Sequence, residues 1–236
     1  MPMTAPSHLA LFDLDHTLLP FDSDYQWAEF LARTGRAGDP ALARQRNDDL
    51  MRRYNEGTLS AEEAADFMLG LLRLGEPAEL AVWHQDYMRE VILPGLLPAA
   101  RALVTDHQAR GGLCAVVTAT NAFVTAPIAL ALGIDHLIAT VPQRDADGRY
   151  TGRIEGTPSF KAGKVLRVRD WLQAQGLQME DFAESWFYSD SMNDLPLLEA
   201  VTHPVATNPS PALRELAQGR GWRILDLFAD MQDTKS

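Results

Sequence analysis

Short apolar runs that end in polar residues recur along this chain, and they set its architecture. The first runs from Leu9 to Leu14 and carries Asp13 and Asp15 at its end, the pattern of a strand buried on both faces whose carboxyl end opens into a loop. Leu113 to Thr118, Ser185 to Asp190 and Arg223 to Leu227 have the same form, and Pro204 to Thr207 is a shorter example. Between them the apolar spacing shifts to the helical period. Leu97 to Arg110 stops at Gly111 and Gly112, Val124 to Leu132 at Gly133, and Lys164 to Gln175 at Gly176, each a helix closed by glycine. Strand alternating with helix predicts an α/β fold with a doubly wound, Rossmann-like parallel sheet.

Residues 21–92 break that alternation, with four helical stretches and no strand candidate. They are expected to form a helical cap inserted into a catalytic core made of residues 1–20 and 93–236. Ser60 with Glu63 makes a capping box, Gly75 is expected to end that helix, and Pro77 suits the first turn of the next. Phe67, Met68, Leu71 and Leu72 form one stripe, read as the cap's own core. Pro94 and Gly95 mark the return to the sheet, and Asp147-Gly148 predicts a β-hairpin over Val141 to Gly156.

Composition narrows the partners. The 236 residues are 46% hydrophobic and carry a net charge of −11, enough apolar content for a packed core and the wrong sign for nucleic acid or an anionic membrane. A small ligand is the better expectation. The longest apolar run, Ala122 to Ile134, is too short and interrupted to span a bilayer. The first residues show no basic region followed by an apolar one. One cysteine, Cys114, sits in an apolar run and forms no internal disulfide, which suits a reducing cytoplasm. Such a protein is expected to be a monomer or homodimer.

In open α/β sheets ligands gather outside the carboxyl ends of the strands, and four such places carry chemistry. The first is Asp13-Leu14-Asp15-His16-Thr17. A carboxylate at Asp13 can attack phosphorus, Asp15 can protonate a leaving oxygen and later deprotonate water, and Thr17 is expected to orient Asp15. The second is Thr118-Ala119-Thr120-Asn121, where a hydroxyl and backbone N–H groups suit phosphoryl oxygens. A simple helix cap by Thr120 or Asn121 is the alternative there. Third is Lys164, whose ammonium can neutralise a phosphoryl transition state, with Lys161 as competitor. Last comes Ser189-Asp190-Ser191-Met192-Asn193-Asp194, hard oxygen ligands that suit Mg²⁺ or, alternatively, a capping cluster for the next helix.

With these motifs in order, the chain resembles the haloacid dehalogenase superfamily of phosphatases, in the branch with a helical cap after the first motif that includes phosphoserine phosphatase. A bacterial subgroup of that branch, phosphoserine phosphatase-like, shares Thr118 to Asn121, Pro127-Ile128-Ala129 and the block Ser189 to Pro196. The resemblance implies a Mg²⁺-dependent phosphohydrolase acting on a small phosphorylated metabolite. It implies Asp13 as nucleophile and metal ligand, and Asp15 as general acid/base with its backbone carbonyl on Mg²⁺. It further implies Thr118, Ala119 and Lys164 as phosphate holders, Asp190 as a metal ligand, and Asn193 and Asp194 in support. A phosphotransferase or phosphomutase would share every one of these residues. A phosphoryl-accepting receiver domain, the non-enzymatic alternative, places its acceptor aspartate mid-chain and lacks a long helical insertion.

The chain departs from phosphoserine phosphatases, which have Ser-Gly-Gly where Thr118-Ala119-Thr120 stands and carry a cap arginine for the substrate carboxylate. Here that cap region offers Glu62, Glu63 and Asp66, with Arg73 beyond and Arg52 and Arg53 before. From Asp22 to Val91 there are eight arginines against fourteen acids, a balance of −6. Asp22 and Asp24, with Asn121, are therefore specificity candidates, and the expected substrate bears a cationic or hydroxyl group, as in histidinol phosphate. Their alternative reading is a cap for the first cap helix.

Overall fold

A computed structural model describes residues 7–229 apart from 57 and 59. The chain begins with β1 (Leu9–Phe12) and continues through α1 (Ser23–Arg33), α2 (Pro40–Asn55), α3 (Ala61–Gly70), α4 (Pro77–Tyr87) and the short α5 (Leu93–Gly95). It returns through α6 (Pro98–Ala109), β2 (Leu113–Asn121), α7 (Ala122–Ala131), β3 (His136–Arg144), β4 (Tyr150–Glu155) and α8 (Ala162–Gln173). The remainder is β5 (Ser185–Ser189), α9 (Leu195–Leu198), β6 (His203–Thr207), α10 (Pro211–Arg220) and β7 (Arg223–Leu225).

The sheet order is β4-β3-β2-β1-β5-β6-β7, parallel except where β4 pairs with β3. The chain winds outward from β1 in one direction and then, from β5, in the other. The switch point therefore lies at the carboxyl end of β1, where ligands of such sheets sit. Alternate residues of each strand serve opposite faces. Leu9 and Leu11 pack with Val168 and Leu172 of α8 and Leu213 of α10, while Ala10 and Phe12 pack with Val104 of α6 and Ile128 of α7.

The segment between β1 and α6 holds helices joined by turns and no strand among its described residues, and its capping box at Ser60 and Glu63 forms as expected. Its apolar stripe differs from expectation. Leu69 and Leu72 are buried in one cluster with Trp27, Phe30, Leu80 and Tyr87 and also with Phe12, Val116 and Tyr188 of the sheet. The helices thus share the sheet's core, because the stripe packs inward toward the sheet instead of closing on itself. Helix α3 also ends at Gly70 rather than near Gly75, the chain tightening into a 3₁₀ turn at Leu71–Arg73.

Two strands are longer than their apolar runs. β2 extends to Asn121, and β3 begins at His136, pairing first in parallel with β2 and then antiparallel with β4. Sequence patterning marks only the hairpin half of β3, since Pro142 and the preceding helix obscure the rest. No helix among the described residues is long and apolar enough to cross a membrane.

Candidate active site

β1 delivers Asp13 to the switch point. The Asp13 N–H donates to the Tyr188 carbonyl at 2.9 Å, which fixes the residue at the last rung beside β5. The next residues coil tightly, with Leu18 and Leu19 N–H groups both on the Leu14 carbonyl. That turn brings Thr17 back under Asp13. Its hydroxyl donates to Asp13 Oδ2 at 3.3 Å, lies 3.5 Å from Asp190 Oδ1, and accepts the Asp190 N–H at 3.1 Å. The expectation that Thr17 orients Asp15 is therefore corrected: one turn after Asp13, it faces β5 and joins Asp13 to Asp190.

Asp15 is held by two groups that local patterning does not connect to it. The Ser23 N–H donates to Oδ1 at 2.7 Å and the Thr120 hydroxyl to Oδ2 at 2.7 Å. Thr118 to Asn121 are the last residues of β2, not residues beyond it, and pairing with β3 shifts register between Val117 and Asn121. Thr118 is buried and its Oγ1 accepts the Thr120 N–H at 3.1 Å, while Ala119 is exposed. Asn121 caps α7 by accepting the Val124 N–H at 3.2 Å, and it also donates to Asp24 Oδ1 at 3.0 Å.

The turn before α8 decides between the two lysines. A Cβ on Gly163 would stand 2.2 Å from the Pro158 carbonyl oxygen, so only glycine allows that approach. Helix α8 starts there with Lys164 facing the sheet. Its Nζ donates to Asp13 Oδ1 at 2.8 Å and to Asp194 Oδ2 at 2.7 Å. Lys161 is exposed, its Nζ 5.1 Å above the Phe160 ring. After β5, the Ser189 hydroxyl donates to Asp194 Oδ2 at 2.7 Å, and the Asn193 N–H donates to Ser191 Oγ at 3.2 Å. Asn208, after β6, donates to the carbonyls of His16 and Thr17 at 3.0 and 3.3 Å and so braces the catalytic loop. Sequence reading misses Ser23 and Asn208 and gives Ser189, within the fourth motif, no role of its own; the signal for Asn208 is its place at a strand end.

Charge is unbalanced at this centre. Asp13, Asp15, Asp190 and Asp194 face one ammonium, and the carboxyls of Asp13, Asp15 and Asp190 rise above their ordinary range. Burial pushes Asp13 well up, with Asp194, Asp190 and Asp15 adding repulsion against the pull of Lys164. Burial and then Asp194 raise Asp190 to about 7, and burial and then Asp22 raise Asp15 to about 6. Burial opposes the charge on Lys164, but Asp13 and Asp194 outweigh it and hold the amine protonated. An anionic cluster of hard oxygens that one lysine does not neutralise fits a small hard dication. Among the described residues no three acidic, imidazole or thiolate side chains converge on one point. The fit rests instead on two carboxylates joined by the Thr17 hydroxyl, Asp13 and Asp190, a set that suits Mg²⁺ because that ion keeps several waters.

A second acidic group adjoins Asp15. Asp22 accepts the Tyr25 N–H at 2.8 Å as the cap of α1. Burial, with Asp22 and Asp15 repelling, drives Asp24 well above the usual range. Among the described residues, Asp15, Asp22 and Asp24 have no ion-pair partner. Several cap arginines pair elsewhere: Arg36 with Asp86, Arg52 with Asp49 and Glu56, Arg53 with Glu63.

Known proteins are similar to this chain. The model of the haloacid dehalogenase-like hydrolases matches residues 10–199. A protein named histidinol-phosphatase from Neisseria meningitidis serogroup C (strain 8013) is 40% identical over 219 residues, which cover 93% of this chain and 98% of that protein. A crystal structure of a Bordetella pertussis Tohama I protein of unknown function superposes with a TM-score of 0.92 at 68% identity, over 95% of this chain and 100% of that one. A substrate-bound phosphoserine phosphatase superposes with a TM-score of 0.67 at 20% identity, over 94% of each chain, a likeness of fold.

Proposed function

Because the chain belongs to the haloacid dehalogenase-like hydrolase family and is a phosphatase, we propose that it hydrolyses a small amino-alcohol phosphate, such as histidinol phosphate, through a phosphoaspartyl intermediate. The observation that carries the substrate class is the group of half-buried acids Asp15, Asp22 and Asp24, which lacks a cationic partner among the described residues. A substrate ammonium is attracted there, and a substrate carboxylate is repelled. The 40% identical relative named histidinol-phosphatase supports the same reading.

The chemistry follows from the residues. An Asp13 carboxylate oxygen attacks phosphorus, forming a new P–O bond as the ester P–O bond breaks. Asp15 gives its proton to the leaving alkoxide oxygen. Asp15 then takes a proton from water while the water oxygen attacks the phosphoaspartate, which releases inorganic phosphate and restores Asp13. Lys164, together with the Thr118 hydroxyl and the Ala119 N–H, holds the phosphoryl oxygens, and Asp194 with Ser189 keeps the ammonium in place. Asp13, Asp190 and the Asp15 carbonyl are the groups that would hold Mg²⁺, which supplies charge neutralisation at the phosphoryl oxygens. Residues 21–92 act as the cap over this site, and the buried, unpaired Cys114 suits a cytoplasmic setting.

The test is phosphate release with Mg²⁺ and no added acceptor, from matched phosphomonoesters bearing an amine, a hydroxyl, or an amine with a carboxylate. The amine-bearing alcohol phosphate is expected to show the highest kcat/KM. Preference for phosphoserine would overturn the substrate class, and phosphate release only with an added alcohol acceptor would overturn hydrolysis.

A further inference from the structure

The Thr120 hydroxyl, at the end of β2, is 2.7 Å from Asp15 Oδ2. We propose that Thr120 is a positioning residue for proton transfer, fixing the rotation of the Asp15 carboxyl so that its proton is carried on Oδ2 and delivered to the leaving oxygen. This rests on the phosphatase reading above and goes beyond it by assigning a residue outside the phosphate- and metal-holding groups named there.

The argument is one of donors and acceptors. A backbone N–H only donates, so the 2.7 Å contact from Ser23 leaves Asp15 Oδ1 as the acceptor oxygen. A proton on the carboxyl therefore belongs on Oδ2. The Thr120 hydroxyl donates to a lone pair of Oδ2, which that oxygen keeps whether or not it carries a proton, so the contact holds in either state while the proton stays directed at the leaving oxygen. That property is needed of a partner to a group that gives up a proton in the first half-reaction and recovers one in the second. Thr120 is itself fixed: it is 7% exposed, and its N–H donates to Thr118 Oγ1 at 3.1 Å. The neighbouring Asn121 binds Asp24 from the same strand end. One short stretch of β2 thus holds both the acid that moves the proton and an acid proposed to meet the amine.

Leaving-group dependence separates this role from a structural one. An alkoxide leaves only with a proton, whereas p-nitrophenolate leaves without one, so a misplaced general acid slows the first and largely spares the second. The kcat/KM values for an amino-alcohol phosphate and for p-nitrophenyl phosphate are compared in wild type, Thr120→Val, Thr120→Ala and Thr120→Ser. The Val and Ala variants are expected to lose at least about tenfold more on the alkyl ester than on the aryl ester, on the scale of one charge-assisted hydrogen bond. Thr120→Ser is expected to restore the wild-type ratio to within a few fold. Equal losses on both esters, or a full split in Thr120→Ser as well, would overturn the assignment. If Thr120→Val fails to fold, Thr120→Ala carries the comparison, since it removes the hydroxyl without new bulk. Wild-type enzyme that turns over neither ester would overturn the phosphatase mechanism itself, a result distinct from an unchanged ratio.

Discussion

Lys164 and Asp13 meet across 151 residues of sequence, with Nζ 2.8 Å from Oδ1 and both groups buried. The pair is asymmetric in its consequences. Asp13→Asn leaves Lys164 bonded to Asp194 and relieves repulsion among four acids, so the fold is expected to persist with no loss of stability. Turnover is expected to vanish, because the amide is no nucleophile. Lys164→Met instead leaves two buried acids without their cation and is expected to cost about 3–5 kcal/mol of stability as well as activity. Phosphate release beside urea unfolding checks both. Activity of Asp13→Asn above a few per cent of wild type, with metal bound normally, would sink the covalent mechanism.

The uncompensated charge at the site predicts a strict need for a small dication. Chelation is expected to abolish activity and Mg²⁺ to restore it, while Ca²⁺ suppresses it because its larger, more flexible shell misplaces nucleophile and phosphate. The same cation is expected to raise thermal stability, since it binds the folded site. Full turnover in excess chelator is the contrary result.

Asp22 and Asp24 can be separated by charge alone. Asparagine caps a helix as well as aspartate, so Asp22→Asn preserves the contact to the Tyr25 N–H. Asp24→Asn likewise keeps an oxygen for Asn121. Each is expected to lower the kcat/KM of the amine-bearing substrate relative to its hydroxyl analogue by about tenfold, the scale of one charge-assisted contact. Ratios unchanged in both variants would show that the acids do not read the substrate.

A buried chain of hydrogen bonds on the other side of Phe12 predicts acid sensitivity. His8 Nε2 is 2.8 Å from His107 Nδ1, and His107 Nε2 is 2.7 Å from the Tyr188 hydroxyl. Burial, and then His8, hold His107 down to about 4 from an ordinary 6.5. Between those values the unfolded chain binds the proton and the folded protein does not. The contribution is therefore complete above about pH 6.5 and is lost as pH falls toward 4, on the order of 2–3 kcal/mol. The raised carboxyls of the site give the opposite slope. The measurement is thus the difference between wild type and His107→Phe in unfolding free energy at pH 7.5, 6 and 5, and it is expected to narrow as pH falls. A constant difference would remove the histidine pair from the pH dependence.

Periodicity by itself determined the sheet of alternating strands and helices, the helical insertion after β1, and which strand ends carry acids. These features are local, because a residue's place on a strand face or helix stripe follows from its near neighbours. Residues 136–140 of β3 escaped that logic, being a strand only through pairing with β2. Which partner each acid meets was decided by the tertiary structure. Thr17 lies two residues from Asp15 yet faces Asp13 and Asp190, whereas Thr120, 105 residues away, holds Asp15. Lys164 rather than Lys161 reaches Asp13 because Gly163 lets the Pro158 carbonyl approach and sets the start of α8. The helices of the insertion share the sheet's core, where Leu69, Leu72 and Trp27 belong to one buried cluster with Phe12 and Val116. A sequence pattern states that a face is apolar; only chain packing, through sheet register and the strain of particular turns, states what that face touches.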